Sequence, residues 1–579
     1  MADIFSTPAP STQISQSLDN VEDVYYQLAG ASSDADPWLL RHCRFDDFGS
    51  LRLFRVQIRN AGGVPTRDKI PAHFLVGDRD VYDSARLEAG VAHDGDLREE
   101  LASLVPPDIG LRILRLFMKH VFPLLPIISR SRLGLDKLDD AAPAQILNRI
   151  STPLLAAIYG SALPFASEDS YVFLATSHSK APLAQIWSIV HKSVVRGIHS
   201  PRLYLVQAAL LYIHRPVQEE HSYAITDAAS MWSIIGLTVG MAHSLGLNLE
   251  CRSFGMPDEE KRVRRRVWWA LYCEDKWASL LFGRPPYIRS SEWDVSELED
   301  ADFYSTFLPD HGTVDLQQPF REMARLAVIA ESVQDKLYSL RASQRLAVDL
   351  SASLAVAKPL LDTLGGWRAS LPTNSSQTAQ HGDTSQSQTH LPATIHNAYW
   401  ILLVYVWRAL LRATVRSSDP PVVIHMQEPS DSGYLAEDMH WRFDYLPEMD
   451  VRVEEDANDN SHIVRELHEA ALTCASNVLD FLSGLDYSAF NGFWHSWSRK
   501  GFASISSFLL SLLIQAPDFP KAIKAKALLD KWQQLLRQRH KSFPFFSQGK
   551  VRLDSLSWSG LGGAFNLATH VQQALQHTG

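Results

Sequence analysis

Asp258–Ile288, DEEKRVRRRVWWALYCEDKWASLLFGRPPYI, is the stretch on which the fold turns. It reads as one helix with both ends marked. Asp258, Glu259 and Glu260 put negative charge on the first turn, and Gly283 followed by Pro285 and Pro286 supplies the stop. Asp258 with Arg262, and Glu260 with Arg264, are acid-before-base pairs at i,i+4, worth only ~0.2–0.5 kcal/mol each. At about 100° per residue, Val263, Val267, Leu271, Ala278, Leu281 and Phe282 share one broad face. Trp269, Cys273, Trp277 and Leu280 fall on the other side, and a helix apolar nearly all round is a buried one. Asp275 then sits between Trp268, Leu271, Tyr272 and Phe282, where a carboxylate must hold a partner. Arg284 is the first candidate for that partner, and Arg264 or Arg265 the second.

The segment just upstream, Tyr223 to His243, reads as a companion helix. Ala228, Met231, Ile235, Val239 and Ala242 recur at helical spacing, and Gly246 is a natural stop. Gly236 and Gly240 are expected to allow close helix contact, and His243 to be a packed core histidine rather than a ligand. GLTVGMAHSLGLN (Gly236–Asn248) and RRRVWWALYCEDKWASLLFGRPP together resemble the middle homology region of fungal zinc-cluster transcription factors. That pattern is roughly A-x-x-LGLH, then RR-x-WW, D-R, S and GRP. The motif core here is Arg264, Arg265, Trp268, Trp269, Asp275, Gly283, Arg284 and Pro285; Asn248 replaces the usual His and Lys276 the usual Arg.

Composition bounds the class. A net charge of −10 argues against a chain whose main task is gripping phosphate backbones. The four cysteines, Cys43, Cys251, Cys273 and Cys474, lie far apart with no C-x-x-C pair, so neither a disulfide framework nor a zinc knuckle is written here. The resemblance implies a DNA-binding module of six clustered cysteines near the N-terminus, and this terminus has none before Cys43. No signal peptide is legible, and apolar runs such as Phe508–Ile514 fall short of the ~20 residues of a membrane span.

Taken in order, residues 1–19 are rich in Ser, Thr, Pro and Gln and are expected to be disordered. Residues 20–105 are irregular, with alternation at Phe54, Val56 and Ile58 suggesting a short strand, and with a soluble acidic stretch through Glu99 and Glu100. Residues 106–372 carry successive amphipathic helices on short connectors, from Ile109–His120 to Leu346–Leu364, and match the regulatory domain that the resemblance implies. Residues 373–393 are a polar linker. Residues 394–579 return to helix at His396–Arg412, Ile463–Leu482 and Phe502–Gln515, with an acidic, aromatic insertion over 420–460. That insertion, with Trp441, Phe443, Tyr445 and Leu446, fits a transactivating segment; a solvated surface insertion explains it as well and is preferred. The fold expected is all-α, one large body of antiparallel amphipathic helices with a small irregular N-terminal segment containing short strands.

No catalytic constellation survives inspection, so an enzyme is not expected, nor a cofactor or metal. Gly30-Ala-Ser-Ser lacks the spacing of a nucleophile turn, His42-Cys43 has no further ligands nearby, and Asp139-Asp140 lacks the third carboxylate of a metal-binding helix. Lys261, Arg262, Arg264, Arg265 and Arg266 form a candidate nuclear import signal, although salt bridges within the helix explain them too. The leading reading is a nuclear transcriptional regulator of the zinc-cluster type. It would be the regulatory or effector-responsive body without its own DNA-binding module, acting through the transcription machinery or a DNA-binding partner, with a small-molecule effector as a further partner and no membrane. Two alternatives stand beside it: an all-helical cytosolic enzyme or metabolite-binding protein, and a shortened gene product whose six-cysteine exon lies upstream of Met1.

Overall fold

The computed structural model describes residues 17–19, 24–30, 32–33, 50–51, 56–59, 72–78, 94–133, 143–177, 181–216, 226–303, 318–371, 391–414, 460–559, 561, 565 and 567–577. Most of the N-terminal segment read as disordered, the 373–390 linker and the acidic insertion lie outside these residues.

Helix dominates what is described, as the periodicity requires. The first group is α1 (Asp94–Leu104), α2 (Pro107–His120), α3 (Arg130–Leu133), α4 (Pro143–Asn148), α5 (Thr152–Ala162), α6 (Ser170–Ser177), α7 (Ala181–Arg196) and α8 (Leu203–Ile213). Then come α9 (Thr226–Ser244), α10 (Asp258–Phe282), α11 (Gln318–Val333, continued by a π turn to Tyr338), α12 (Leu340–Ala347) and α13 (Leu350–Ser370). The C-terminal group is α14 (Ala393–Arg412), α15 (Asn460–Gly484), α16 (Tyr487–Phe490), α17 (Ser498–Ile514), α18 (Phe519–Arg539), α19 (Ser547–Ser559) and α20 (Thr569–Gln576). The acidic stretch at Glu99 is itself helical, since α1 buries Leu97 and Leu101.

The helices assemble around two cores. In the larger, α5 packs on α2, α7 and α8, α8 passes to α9, and α10 lies along α11. The second core is built from α15 to α20. α14 joins the two, turning Ile395, Ala398, Ile401 and Leu402 into the first and Val404 and Leu411 into the second. A helix apolar on several faces can sit only between two packed layers.

The N-terminal region holds more sheet than its sequence suggested. Four short antiparallel strands, β1 (Val24–Ala29), β2 (Ser50–Leu51), β3 (Val56–Arg59) and β4 (Ala72–Asp78), lie in the order β1-β4-β3-β2. This sheet docks on the turn between α9 and α10. Phe74 meets Phe254, Cys251 and Met256 in a small third core, and Arg59 donates to the Phe254 carbonyl at 3.1 Å. Gly246 has φ +65°, and a Cβ there would lie 3.0 Å from the Phe74 ring, so this turn needs glycine on both counts. Leu18 belongs to the same cluster and is only 4% exposed, so residues 17–19 are docked against the body rather than loose.

Candidate functional site

α10 spans Asp258–Phe282, the bounds its end signals predict, and all but a few of its residues are buried. Its C-terminal stop is Gly283, with φ +65°. The amides of Gly283 and Arg284 both turn back to the Ser279 carbonyl, satisfying groups that a helix end leaves open. At the other end Asp258 pairs with Lys261 at 3.0 Å, and that hydrogen bond, followed by the fields of Lys261 and Arg262, holds its carboxyl below the usual range. The expected Glu260–Arg264 support gives way to longer-range ties. Ser17 donates to Glu260 at 2.6 Å, and Arg264 binds Asp19 at 2.7 Å and the Leu245 carbonyl.

The three consecutive arginines point to three different neighbours because successive helical positions are about 100° apart. Arg264 holds the N-terminal segment, as described. Arg265 donates to Asp302, to the Ser296 and Glu297 carbonyls, and lies 3.3 Å from Glu250. Arg266 donates to the carbonyls of Asp302 and Ile128, and burial pushes its guanidinium down to about 10. With Arg264, Arg265 and Arg266 buried and only Lys261 and Arg262 half-buried, the folded chain does not present KRVRRR as a continuous basic peptide. Trp268 packs between His243 and Trp293, and Trp269 donates to the Ser296 carbonyl at 3.0 Å.

Asp275 is fully buried, as the sequence requires, but Arg284 is not its partner. The left-handed turn at Gly283 carries the chain back over the helix. The amides of Tyr287 and Ile288 donate to the carboxylate at 2.9 and 3.1 Å, while Lys276 lies 3.4 Å away. Burial pushes this carboxyl up, and Lys276 and the two amides oppose that. Lys276, the departure from the family pattern, also reaches Glu331 on α11 at 2.9 Å, and Tyr272 donates to the same carboxylate at 2.7 Å. Arg284 instead faces the Trp232 ring, and its carbonyl accepts from Gln334 at 2.6 Å. Pro285, in the same turn, is exposed. Gly236 lies beneath Tyr287, which stacks on Trp232, whereas Gly240 faces open space. The close helix contact expected of these glycines is therefore found at neither, and at Gly236 the close neighbour is a loop residue. His243 is half-buried against Trp268, and burial lowers its basicity.

One concavity adjoins this hub and another lies farther along the body, and neither was visible in the sequence because separated segments build each. At the head of α10 a cavity of about 320 Å³ is enclosed by the Ile128–Leu133 turn, the α4–α5 junction, α8, Pro257–Val263 and Asp19. An open groove of about 800 Å³ runs between α13, α14 and α15, walled by Tyr399, Trp400, Trp407 and Phe481 with Arg368 at its rim. Glu259, at the first cavity, accepts from the Ser129 and Ser131 hydroxyls and the Arg132 amide. Burial raises the thiols of Cys251 and Cys474 to about 12, far from the reactive range. Among the described residues no three His, Cys, Asp or Glu side chains gather as a metal cluster, and no helix is long and apolar enough to cross a membrane.

These features define a mostly helical body organised by one buried, charged helix. Residues 114–363 match the sequence model of the fungal specific transcription factor domain. Among its relatives, an uncharacterized transcriptional regulatory protein of Schizosaccharomyces pombe is 27% identical over 324 residues, 55% of this chain and 45% of that protein. The transcriptional activator protein DAL81 of Saccharomyces cerevisiae is 22% identical over 556 residues, 89% of this chain and 49% of its own length. Cutinase transcription factor 1 beta of Fusarium vanettenii is 26% identical over 325 residues, 53% of this chain and 35% of its own length. The chain thus spans about half or less of these relatives. No solved structure matches it significantly. The family and the named relatives are transcription factors, not enzymes.

Proposed function

We propose that this chain is the regulatory body of a nuclear transcriptional regulator of the fungal zinc-cluster type, acting through partner proteins rather than through specific DNA recognition of its own. The observation that carries the reading is the match of the family domain to residues 114–363, which run from α2 into α13 around the buried helix α10. Specific recognition needs a rigid element presenting side chains to base edges, with enough phosphate contacts to position it. The most basic run of this chain is instead spent on internal ties, and the net charge of −10 weakens the electrostatic term that supplies most non-specific affinity. The partner is the transcription machinery or a DNA-binding protein.

The test is a fluorescence anisotropy titration of the purified chain against randomised duplexes at fixed salt, with microscopy of the tagged chain in fungal cells. Weak, salt-sensitive, sequence-indifferent binding with nuclear accumulation is the expected result. Enrichment of a defined site that survives competition by bulk DNA refutes the partner-dependent reading. The cavity at the head of α10 favours a small-molecule effector as a second partner, since several elements of the family domain converge on it. Filling it with Leu154→Trp should abolish a reporter's response to its inducer while leaving the fold intact.

A further inference from the structure

The family domain and the C-terminal helices meet at a buried cluster that the site above does not use. His214 caps the end of α8, Glu274 lies on α10, and Phe493–Trp497 is the loop that leads into α17. The loop is inserted deeply. Trp497 stacks on Trp277 of α10 with ring centroids 4.4 Å apart, and His495, 1% exposed, lies 5.3 Å from the His214 ring. The Ser496 amide donates to Nδ1 of His214 at 3.1 Å, and its hydroxyl contacts Met231 of α9. On its other edge, Nε2 of His214 lies 3.2 Å from Glu274, and both side chains are 1% exposed.

These contacts fix the tautomer. Because Nδ1 accepts from Ser496, the proton of neutral His214 resides on Nε2, facing Glu274. A second proton can enter only at Nδ1, where it would set two donors, the imidazole N–H and the Ser496 N–H, against each other. We propose that His214 is a proton-operated latch between the family domain and the C-terminal helices. Neutral, it holds the Phe493–Trp497 loop through Ser496; protonated, it keeps Glu274 as a counter-ion and releases the loop.

Glu274 is the carboxylate in contact with the ring, and neither of its oxygens has an aligned hydrogen-bond donor. His495 is the other titratable group on the loop, and burial, then His214, hold its basicity well down. Arg215, next along the chain, lies over the Tyr212 ring, and His191 of α7 contacts that same ring. Cys273, beside Glu274, is a buried thiol raised well above its usual range, so it stays neutral across the relevant pH.

The experiment is hydrogen–deuterium exchange by mass spectrometry on the full chain between pH 5 and 8, with rates divided by the intrinsic rate at each pH. Peptides covering 493–514 are compared with α5 as an internal reference. Uptake of one proton per opening event makes the opening constant of the loop rise as the pH falls, by up to about tenfold for each pH unit, and more steeply than that of α5. His214→Asn keeps an acceptor near the Nδ1 position but cannot titrate, and should abolish the slope while the loop stays protected. Glu274→Gln removes the counter-ion and should move the onset of opening about one pH unit or more downward. His495→Gln should keep the part of the slope that His214 supplies. A flat wild-type profile, an unchanged slope in His214→Asn, or loss of the slope in His495→Gln would each overturn the assignment. Should His214→Asn fail to fold, the Glu274→Gln shift decides.

Discussion

Replacing Asp275 by Ala should be among the most damaging single changes in this chain. The side chain is fully buried and accepts the amides of Tyr287 and Ile288. Removing it strands two N–H groups, each worth about 1–3 kcal/mol when left unpaired away from water. Lys276 loses its nearest counter-charge on the same helix but keeps Glu331 and the Ile288 carbonyl, so its own penalty is only partial. The sum is about 3–5 kcal/mol, the range for breaking a buried pair from one side. For a chain of this size the urea dependence should exceed about 3 kcal/mol per molar, so the first unfolding transition should move down by roughly 1 M. Asp275→Asn keeps one acceptor oxygen but aims an amide donor at the second N–H, and should fall between Ala and wild type. Arg284→Ala should cost less than either, because Arg284 faces Trp232 rather than Asp275. A wild-type midpoint for Asp275→Ala, or an Arg284→Ala loss as large as that of Asp275→Ala, would refute the reasoning.

Three further outcomes can be measured on the same protein. Gly240→Ala, in the interior of α9 with nothing within 4 Å of the new Cβ, should stabilise by up to about 1 kcal/mol through helix propensity, read as a higher urea midpoint. Gly160→Ala should do the reverse, by about 1–3 kcal/mol, because its Cβ would lie 2.6 Å from the buried Trp187 ring. Acid should destabilise the whole body. His120, His243, His468 and His495 all have their basicity lowered chiefly by burial, so below about pH 6.5 the unfolded chain binds protons that the folded chain refuses. Their contribution is complete above that value and is lost as the pH falls, so the urea midpoint should drop between pH 7 and 5; a midpoint that rises would contradict the sign.

The bounds of α10 were legible because each signal is local. Acids mark the first turn, a glycine and two prolines mark the stop, and the apolar positions between them fix the period. α18 was not recognised, since Ala522 and Ala525 occupy buried positions and weaken the stripe that Leu529, Trp532 and Leu536 continue. The four-stranded sheet was reduced to a single hint because its strands are short and pair across long intervals, β1 with β4 for instance. Neither concavity could be read, for their walls come from segments that meet only in three dimensions. His214 and Ser496 stand 282 positions apart, and no pattern in either segment announces the other.

The charged residues of α10 show where the limit lies in physical terms. The sequence is enough to say that Asp275 must have a partner, because the desolvation penalty depends on the apolar residues one turn either side, which are known. It does not say which partner, because that depends on where the backbone returns after Gly283, and the two amides brought back by that turn sit closer than any arginine side chain. The same logic governs Arg264, Arg265 and Arg266. Read alone, a basic run suggests a surface to be recognised, but a run placed in a helix that is apolar on its remaining faces has no outward side. Each guanidinium must then find acceptors inside the fold, and carbonyls freed in turns and loops, such as those of Leu245, Ser296 and Ile128, are the acceptors a packed helical body has to spare. Buried arginines of this kind therefore act as ties between segments distant in sequence, and the α10 motif core is better understood as the fastening of the regulatory body than as a surface it offers to others.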